Sequence, residues 1–304
     1  MSVLVIGAAN LDIKGRLFNS PVVNSSNSAA IKTSMGGVAR NIAENLARLG
    51  VAVTLLTAVG DDYAGEDILD TADEVGVDVS RALIIEDATT GTYLAALDPG
   101  GDMFVALDDV RVLHHITPDY LYLNRDAFRE CDMVTLDLNL TDATLHTAVK
   151  LAHEYHKPIC IDPTSTDIAH RLFPLLPKVD IITPNLDEAE VLLHCANLPI
   201  PDDPVQCARH LAALGVATVV ITQAERGACY ATDNESGQFP ALRGDIVDTT
   251  GAGDALTAAI IFGVLQGMAV SEALQLGLRA AALTLRSTYT VAPELSLDRL
   301  YGME

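Results

Sequence analysis

Short runs of β-branched and other apolar residues recur along the chain, separated by stretches long enough to hold a helix. SVLVIG (2–7), AVTLLTAVG (52–60), MVTLDLN (133–139), PICIDP (158–163), VDIITPN (179–185) and ATVVITQ (217–223) are apolar runs bounded by turn residues, the pattern of strands buried on both faces. Between several of them lie amphipathic segments, ARNIAENLARLG (39–50), TDATLHTAVKLAHEYH (141–156) and DPVQCARHLAALG (203–215). Strand, helix and strand repeated in this way predict an α/β fold, a mostly parallel central sheet flanked by helices on both faces. Two segments break the rhythm. Residues 12–33 are polar and irregular, and TYLAALDPGGDMFVAL (92–107) alternates around a Pro-Gly-Gly turn as a β-hairpin does. Together they predict a small β-sheet lid, formed by about residues 12–33 and 84–108, on a single domain covering 1–304. The chain carries no convincing internal repeat, low-complexity tract or inter-domain linker.

Composition narrows the range of partners. The chain has 304 residues, is 49% hydrophobic, and carries 41 acidic against 19 basic residues for a net charge of −22, so its field repels nucleic-acid polymers and anionic membrane surfaces. The five cysteines, 131, 160, 195, 207 and 229, are odd in number, lack CxxC spacing and fall mostly in apolar runs. Buried reduced thiols and a cytoplasmic location are the expectation. MSVLVIGAANLD has no basic segment of the signal-peptide kind and reads as a first strand. ALTAAIIFGVLQGMAV (255–270) is too short for a membrane span and reads as a buried helix.

The chemistry concentrates in DTTGAGDALTAA (248–259). Gly251, Ala252 and Gly253 let backbone N–H groups approach a ligand, and the first turn of the following helix leaves such donors free, which makes an anion cradle. Asp254 adds a carboxylate that can take a proton from a group attacking that anion, as in phosphoryl transfer to a hydroxyl. Alone, an Asp in a first helical turn is equally an ornament of the helix dipole. A second motif, GGVARNIAENLARLG (36–50), sets Gly36 and Gly37 before a helix, with Arg40 and Asn41 as groups suited to a sugar hydroxyl. Alone it is a tight turn feeding an amphipathic helix.

Taken together and in this order, the two motifs resemble both signatures of the PfkB, or ribokinase-like, carbohydrate kinase family, and the resemblance extends over essentially the whole chain. It implies a ribokinase-like fold, ATP and Mg²⁺ as cofactors, and a small-molecule sugar or nucleoside as acceptor. GAANLD (7–12) resembles the opening strand whose Asn and Asp, here Asn10 and Asp12, hold sugar hydroxyls together with Gly36, Gly37, Arg40 and Asn41. TPNLDEAE (183–190) resembles the NxxE motif, which puts Asn185 beside the nucleotide and Glu188 near Mg²⁺ through water. VVITQAERGACY (219–230) resembles the nucleotide-binding strand and loop, with Thr222 and Gly227 kept and Ala224 where many members have glycine. Thr250, Gly251 and Gly253 would line the phosphates, and Asp254 would act as base. The segment holding Asp248 is where many members bind a monovalent cation such as K⁺. Asp137 and Asn139, at the end of TLDLN, would face the same crevice if that strand is central, since open α/β sheets bind ligands at the carboxyl ends of their strands; otherwise they close a strand-to-helix turn.

Within the family the resemblance is closer to the pseudouridine kinases, through GGVARN, TYLAALDPGGDMFVALDD and STYTVAPELS (287–296), than to ribokinases, which usually carry Lys and Ala around the helix Asn. It implies transfer to the 5′-hydroxyl of pseudouridine, with the lid over the base and Asp109 accepting a ring N–H. The alternatives are a kinase of ribose, uridine or 2-keto-3-deoxygluconate, or a noncatalytic sugar-binding protein on the same fold. An NAD-linked dehydrogenase lacks support, because GAANLD is not GxGxxG. TYLAAL and MFVAL are expected to pair lids across a two-fold axis in a homodimer.

Overall fold

The structure, a computed structural model, describes residues 1–303. Its centre is a nine-stranded sheet in the order Ser236–Phe239, Ala228–Thr232, Thr218–Thr222, Ile181–Ile182, Ile159–Asp162, Met133–Asp137, Ser2–Ile6, Ala52–Leu56, Val77–Asp78. All pairings are parallel except those made by Ala228–Thr232, with Thr218–Thr222 on one side and the edge strand Ser236–Phe239 on the other. The period of two sends alternate residues to opposite layers. Leu4 and Ile6 join Leu136, Ile161, Leu145 and Leu211 in one hydrophobic cluster, while Val3 and Val5 join Ile42, Leu46, Ile260 and Leu274 in the other. Two packed layers explain why the sheet's sequence reads as unbroken apolar runs.

The expected elements are present with adjusted bounds. AVTLLTAVG divides into Ala52–Leu56 and Ala58–Gly60, and the second piece pairs with Leu83–Ile85 in a separate two-stranded sheet. ALTAAIIFGVLQGMAV lies mostly in the buried helix Ala252–Leu265, turns at Gly267, and continues into the helix Val270–Leu285 packed against it. No helix among the described residues is long and apolar enough to cross a membrane. All five cysteines are unpaired, four of them buried and Cys195 partly exposed.

The small sheet expected as a lid is present, with different limits. It is a four-stranded sheet of Ala29–Gly36, Asn10–Leu17, Gly91–Leu97 and Met103–Asp109, in that order. Residues 12–33 are therefore not irregular: two antiparallel strands span 10–36 around the connection 18–28. They read as loop because both lid faces are largely open, so apolar alternation is weak. Residues 84–90 do not belong to the lid. Register fixes which side chains share a face. Asp12, Tyr93 and Asp108 form one cross-strand row, and Lys14, Ala95 and Ala106 the next on the same side. The opposite side carries Ile13, Leu94 and Leu107, with Ile31.

Candidate active site

The helix that opens with GAGD starts on a glycine that no other residue can replace. Gly251 has φ 81°, and a Cβ there would lie 1.9 Å from the Thr290 carbonyl oxygen. The first helical hydrogen bond runs from Ala255 N–H to Gly251 C=O at 2.9 Å, so the N–H groups of Ala252, Gly253 and Asp254 have no helical acceptors. A Cβ on Gly253 would meet nothing within 4 Å. The cradle expected of this motif is thus open to an anion, and Asp254 stands on the same turn.

Asp254 is buried, and its Oδ2 accepts a hydrogen bond from Asn41 Nδ2 at 2.7 Å. The Asn41 amide is fixed in that orientation because its Oδ1 accepts from Arg40 Nη1 at 3.1 Å and from the Thr290 hydroxyl at 3.2 Å. Arg40, expected to touch substrate, is instead buried. Its guanidinium is ion-paired with Glu44 and also donates to the Met35 carbonyl and the Thr290 hydroxyl. It braces Asn41, and through it Asp254. Burial pushes the Asp254 carboxyl well above the ordinary carboxylate range, with Asp162 adding to the rise and the Asn41 hydrogen bond opposing it.

Asp12 and Asn10 meet at the start of the lid, with Asn10 Nδ2 donating to Asp12 Oδ1 at 2.9 Å. Burial pushes Asp12 up to about 6. Gly36 and Gly37 are required by close approach. A Cβ on Gly36 would fall 2.2 Å from the Asp12 carboxylate, and one on Gly37 would fall 2.4 Å from the Ala8 carbonyl oxygen. Asp137 does not join them. It is fully buried, and its oxygens accept from the backbone N–H of Ala8 at 2.7 Å, Asn139 at 2.9 Å and Ala39 at 3.2 Å. This carboxylate clamps the backbone at Ala8, Ala39 and Asn139 to the sheet, so its oxygens are taken up by protein N–H groups, while the side chain of Asn139 stays partly exposed.

At the start of the helix Leu186–Cys195, Asn185 and Glu188 form a capping box: Asn185 Oδ1 accepts from Glu188 N–H at 2.9 Å and Glu188 Oε2 accepts from Asn185 N–H at 2.8 Å. That leaves Oε1 of Glu188 for other work. Burial, together with the charge of Asp162, pushes Glu188 up to about 7. Asp162 itself was not singled out from the sequence. It ends the strand beside that of Asp137, in register with it, and is held by the hydroxyls of Thr183 and Thr257 and by Thr164 N–H. The strand-end rule that picked Asp137 was the signal for it. Thr222 is bridged to Asn185, and Gly227 has φ 91° with a Cβ position 2.1 Å from the Phe239 carbonyl oxygen. Ala224, where the resemblance implies glycine, adopts φ 49°, so the loop keeps a glycine-like turn at some cost in strain.

Two expectations in and near the lid change. Asp109 lies on the outer side, more than half exposed and gripped by Arg111, whose hydrogen bonds pull it down to about 2. Asp108 and Tyr93 are the residues in the row of Asp12, and burial raises the pKa of each, with Asp109 adding to the rise for Asp108 and Asp12 for Tyr93. Asp248, expected near a monovalent cation, has its carboxylate bound by the Lys14 ammonium at 2.8 and 3.0 Å.

No cluster of three or more His, Cys, Asp or Glu able to hold a metal occurs among the described residues. Glu188, with Oε1 free of protein partners, would offer a hard oxygen donor, directly or through water, to a divalent ion such as Mg²⁺ that also meets phosphate oxygens and water. The open cradle fits phosphate. ATP and Mg²⁺ therefore fit the donor set.

Comparison with known proteins agrees with this geometry. Residues 1–296 match the model of the pfkB family carbohydrate kinases. The chain is 32% identical to the pseudouridine kinase of Escherichia coli over 99% of its own length and 96% of that protein, and 30% identical to the guanosine-inosine kinase of Exiguobacterium acetylicum over 98% and 99%. It superposes on the Arabidopsis thaliana ribokinase complexed with ribose and ATP with a TM-score of 0.84, at 23% identity and 99% coverage of both chains, which shows a ribokinase-like fold. The chain belongs to the pfkB family of carbohydrate kinases and is an ATP-dependent kinase of a sugar or nucleoside.

Proposed function

We propose that the protein phosphorylates the 5′-hydroxyl of pseudouridine. The observation that carries this is the inner row of the lid, where the sugar-holding carboxylate Asp12 is continued by an aromatic ring, Tyr93, and a second acceptor, Asp108. A ribose held at Asp12 has its base under that row. Pseudouridine, joined to ribose through carbon, presents one more ring N–H than uridine, and a carboxylate is an acceptor without donors of its own. The 32% identity to a pseudouridine kinase points the same way.

In this mechanism Asn10, Asp12 and the backbone at Gly36 and Gly37 orient the ribosyl group, and Asp254 takes the proton of the 5′-hydroxyl. Its proton affinity, raised by burial, suits it to that task. The N–H groups of Ala252, Gly253 and Asp254 receive charge that develops on the phosphoryl oxygens. ATP supplies the phosphoryl group and Mg²⁺ neutralises its oxygens, with Glu188, through water, as the residue that would hold the ion. Asn185, Thr222, Gly227 and Thr250 line the nucleotide side. Arg40, Thr290 and Asn41 hold Asp254 in place. A K⁺ ion at Asp248 is disfavoured by the ammonium of Lys14 already there.

Incubation with ATP, Mg²⁺ and pseudouridine is expected to give one ADP per nucleoside monophosphate, with phosphorus on the primary hydroxyl by ³¹P–¹H correlation. Absence of product, or phosphate at another hydroxyl, would overturn the assignment. The reading also carries a homodimer through the lid: Ile31, Leu94, Val105 and Leu107 expose an apolar outer face, the kind that an isologous partner covers. A solution mass of one chain at micromolar concentration would contradict it. A reducing cytoplasm, in which five unpaired cysteines persist, completes the proposal.

A further inference from the structure

Lys14 stands two residues beyond Asp12 on the inner side of the lid, and its side chain crosses from the lid to the loop that leads into the phosphate cradle. Its ammonium donates to Asp248 Oδ1 at 2.8 Å, to Asp248 Oδ2 at 3.0 Å and to the Thr250 hydroxyl. Thr250 N–H in turn donates to Asp248 Oδ1 at 3.0 Å, so the loop is braced around the ammonium. The Lys14 side chain is only 16% exposed. Thr250 immediately precedes Gly251, the start of the cradle helix. None of the roles described above uses this cation.

The cradle's surroundings are short of positive charge. Asp254, Asp162, Asp12 and Glu188 are all buried, and beyond burial itself Asp162 opposes ionisation of both Asp254 and Glu188, while Asp12 opposes that of Asp254. Arg40, the basic side chain nearest to Asp254 in the helix Val38–Arg48, is taken up by Glu44. A triphosphate entering such a place brings further negative charge, and a helix N-terminus offers only partial charges against it. An ammonium has three N–H donors. Here they meet the two oxygens of Asp248 and the Thr250 hydroxyl, one residue before the start of the cradle, where an entering phosphate oxygen can take the place of one of these acceptors.

Resting on the kinase reading above, we infer that Lys14 is a phosphate-binding residue carried by the lid, aimed by Asp248 and Thr250 at the terminal phosphate of the nucleotide. This makes charge neutralisation at the transferred group depend on lid position: the ammonium reaches the cradle only with the strand Asn10–Leu17 over the site. Acceptor binding under the lid and phosphate activation are thereby coupled through one strand, which carries Asp12 for the sugar and Lys14 for the phosphate.

The test compares the affinities of ADP and of the non-hydrolysable β,γ-imido analogue of ATP, each with Mg²⁺, by calorimetry on the wild type, Lys14→Met and Lys14→Arg. A charge-assisted hydrogen bond to the terminal phosphate predicts that Lys14→Met weakens the triphosphate analogue by about 10- to 100-fold while ADP affinity is nearly unchanged, and that Lys14→Arg restores part of the loss. Lys14→Arg, which keeps the charge beside Asp248, should hold the melting temperature within about 3 °C of wild type, so that its nucleotide affinities are read on a folded protein. Equal loss for both nucleotides, or no loss for either, would reduce Lys14 to a tether between lid and loop and overturn the inference. Failure of the wild type to bind either nucleotide would remove the kinase reading itself, a separate and distinguishable outcome.

Discussion

Replacing Asp254 with Asn changes one atom and should separate catalysis from folding. In the native site Asn41 Nδ2 donates to Asp254 Oδ2 at 2.7 Å, and the orientation of Asn41 is locked by Arg40 and Thr290. The new amide must therefore turn its carbonyl to Asn41, which points its NH₂ at the acceptor hydroxyl. A proton acceptor becomes a donor, with the shape of the site preserved. Loss of a positioned general base costs about 10² to 10⁴-fold in kcat, or about 2.7 to 5.4 kcal/mol of barrier, while Kd for ATP and nucleoside should change far less. Stability gives an independent sign. Asp254 has its proton affinity raised by burial and by Asp162, so in linkage terms its contribution to stability is present below its unfolded pKa and is lost as pH rises through the folded value. Above the unfolded pKa the buried acid costs the fold stability, so at pH 8 the neutral amide should leave the melting temperature unchanged or higher. An Asp serving only the helix dipole predicts the reverse, a loss of about 0.3 to 1 kcal/mol with normal turnover. Steady-state kinetics, calorimetric affinities and thermal melts on this variant are the assay. A kcat within about tenfold of wild type, or a clear fall in melting temperature at pH 8, would refute the reasoning.

The same linkage applies to the neighbours of Asp254. Asp12 and Asp137, pushed up to about 6, and Glu188, pushed up to about 7, all by burial, give stability that fades as pH rises from about 4 to 7, so the nucleotide-free protein should melt at a higher temperature at pH 5.5 than at pH 8; a higher value at pH 8 would contradict the burial argument. Glu188→Gln keeps an acceptor for Asn185 N–H and should raise the Mg²⁺ concentration needed for half-maximal rate with little change in melting temperature, and an unchanged Mg²⁺ dependence would remove Glu188 from the metal site. Asp108→Asn should lower kcat/KM for pseudouridine by about 10- to 200-fold, whereas Asp109→Asn, on the far side of the lid, should leave it near wild type; equal effects of the two would mean the lid row is not what meets the base.

The central sheet was legible because its strands are buried on both faces, so that SVLVI and TVVIT read as unbroken apolar runs. The lid strands within 10–36 were not, since a strand such as AAIKTSMG has no continuous packed face to impose alternation, whereas the 92–107 hairpin was marked by its Pro-Gly-Gly turn. The same absence hid the parity of Asp108 and Asp109: a shift of one residue exchanges the two faces of a strand, and only the pairing of Tyr93 with Asp108 decides it. The cradle and the glycines Gly37 and Gly251 were legible because close backbone approach leaves no other residue possible there, and Gly36 because the Asp12 carboxylate fills the space of its Cβ. Arg40 and Asp137 were read as ligands because their polarity is visible in the sequence and their partners are not. Glu44 satisfies one, and the backbone N–H groups of Ala8, Ala39 and Asn139 satisfy the other.

The acceptor is the point on which the account stands, and a competition assay addresses it most directly. Pseudouridine, uridine, inosine, guanosine, ribose and 2-keto-3-deoxygluconate are supplied together at equal concentration with limiting ATP and Mg²⁺, and the phosphorylated products are quantified by mass spectrometry and chromatography, which resolves pseudouridine from its isomer uridine. Product ratios under competition report kcat/KM directly, and the account predicts that pseudouridine 5′-phosphate exceeds every other product by about tenfold or more. Predominance of any other phosphorylated compound would contradict it.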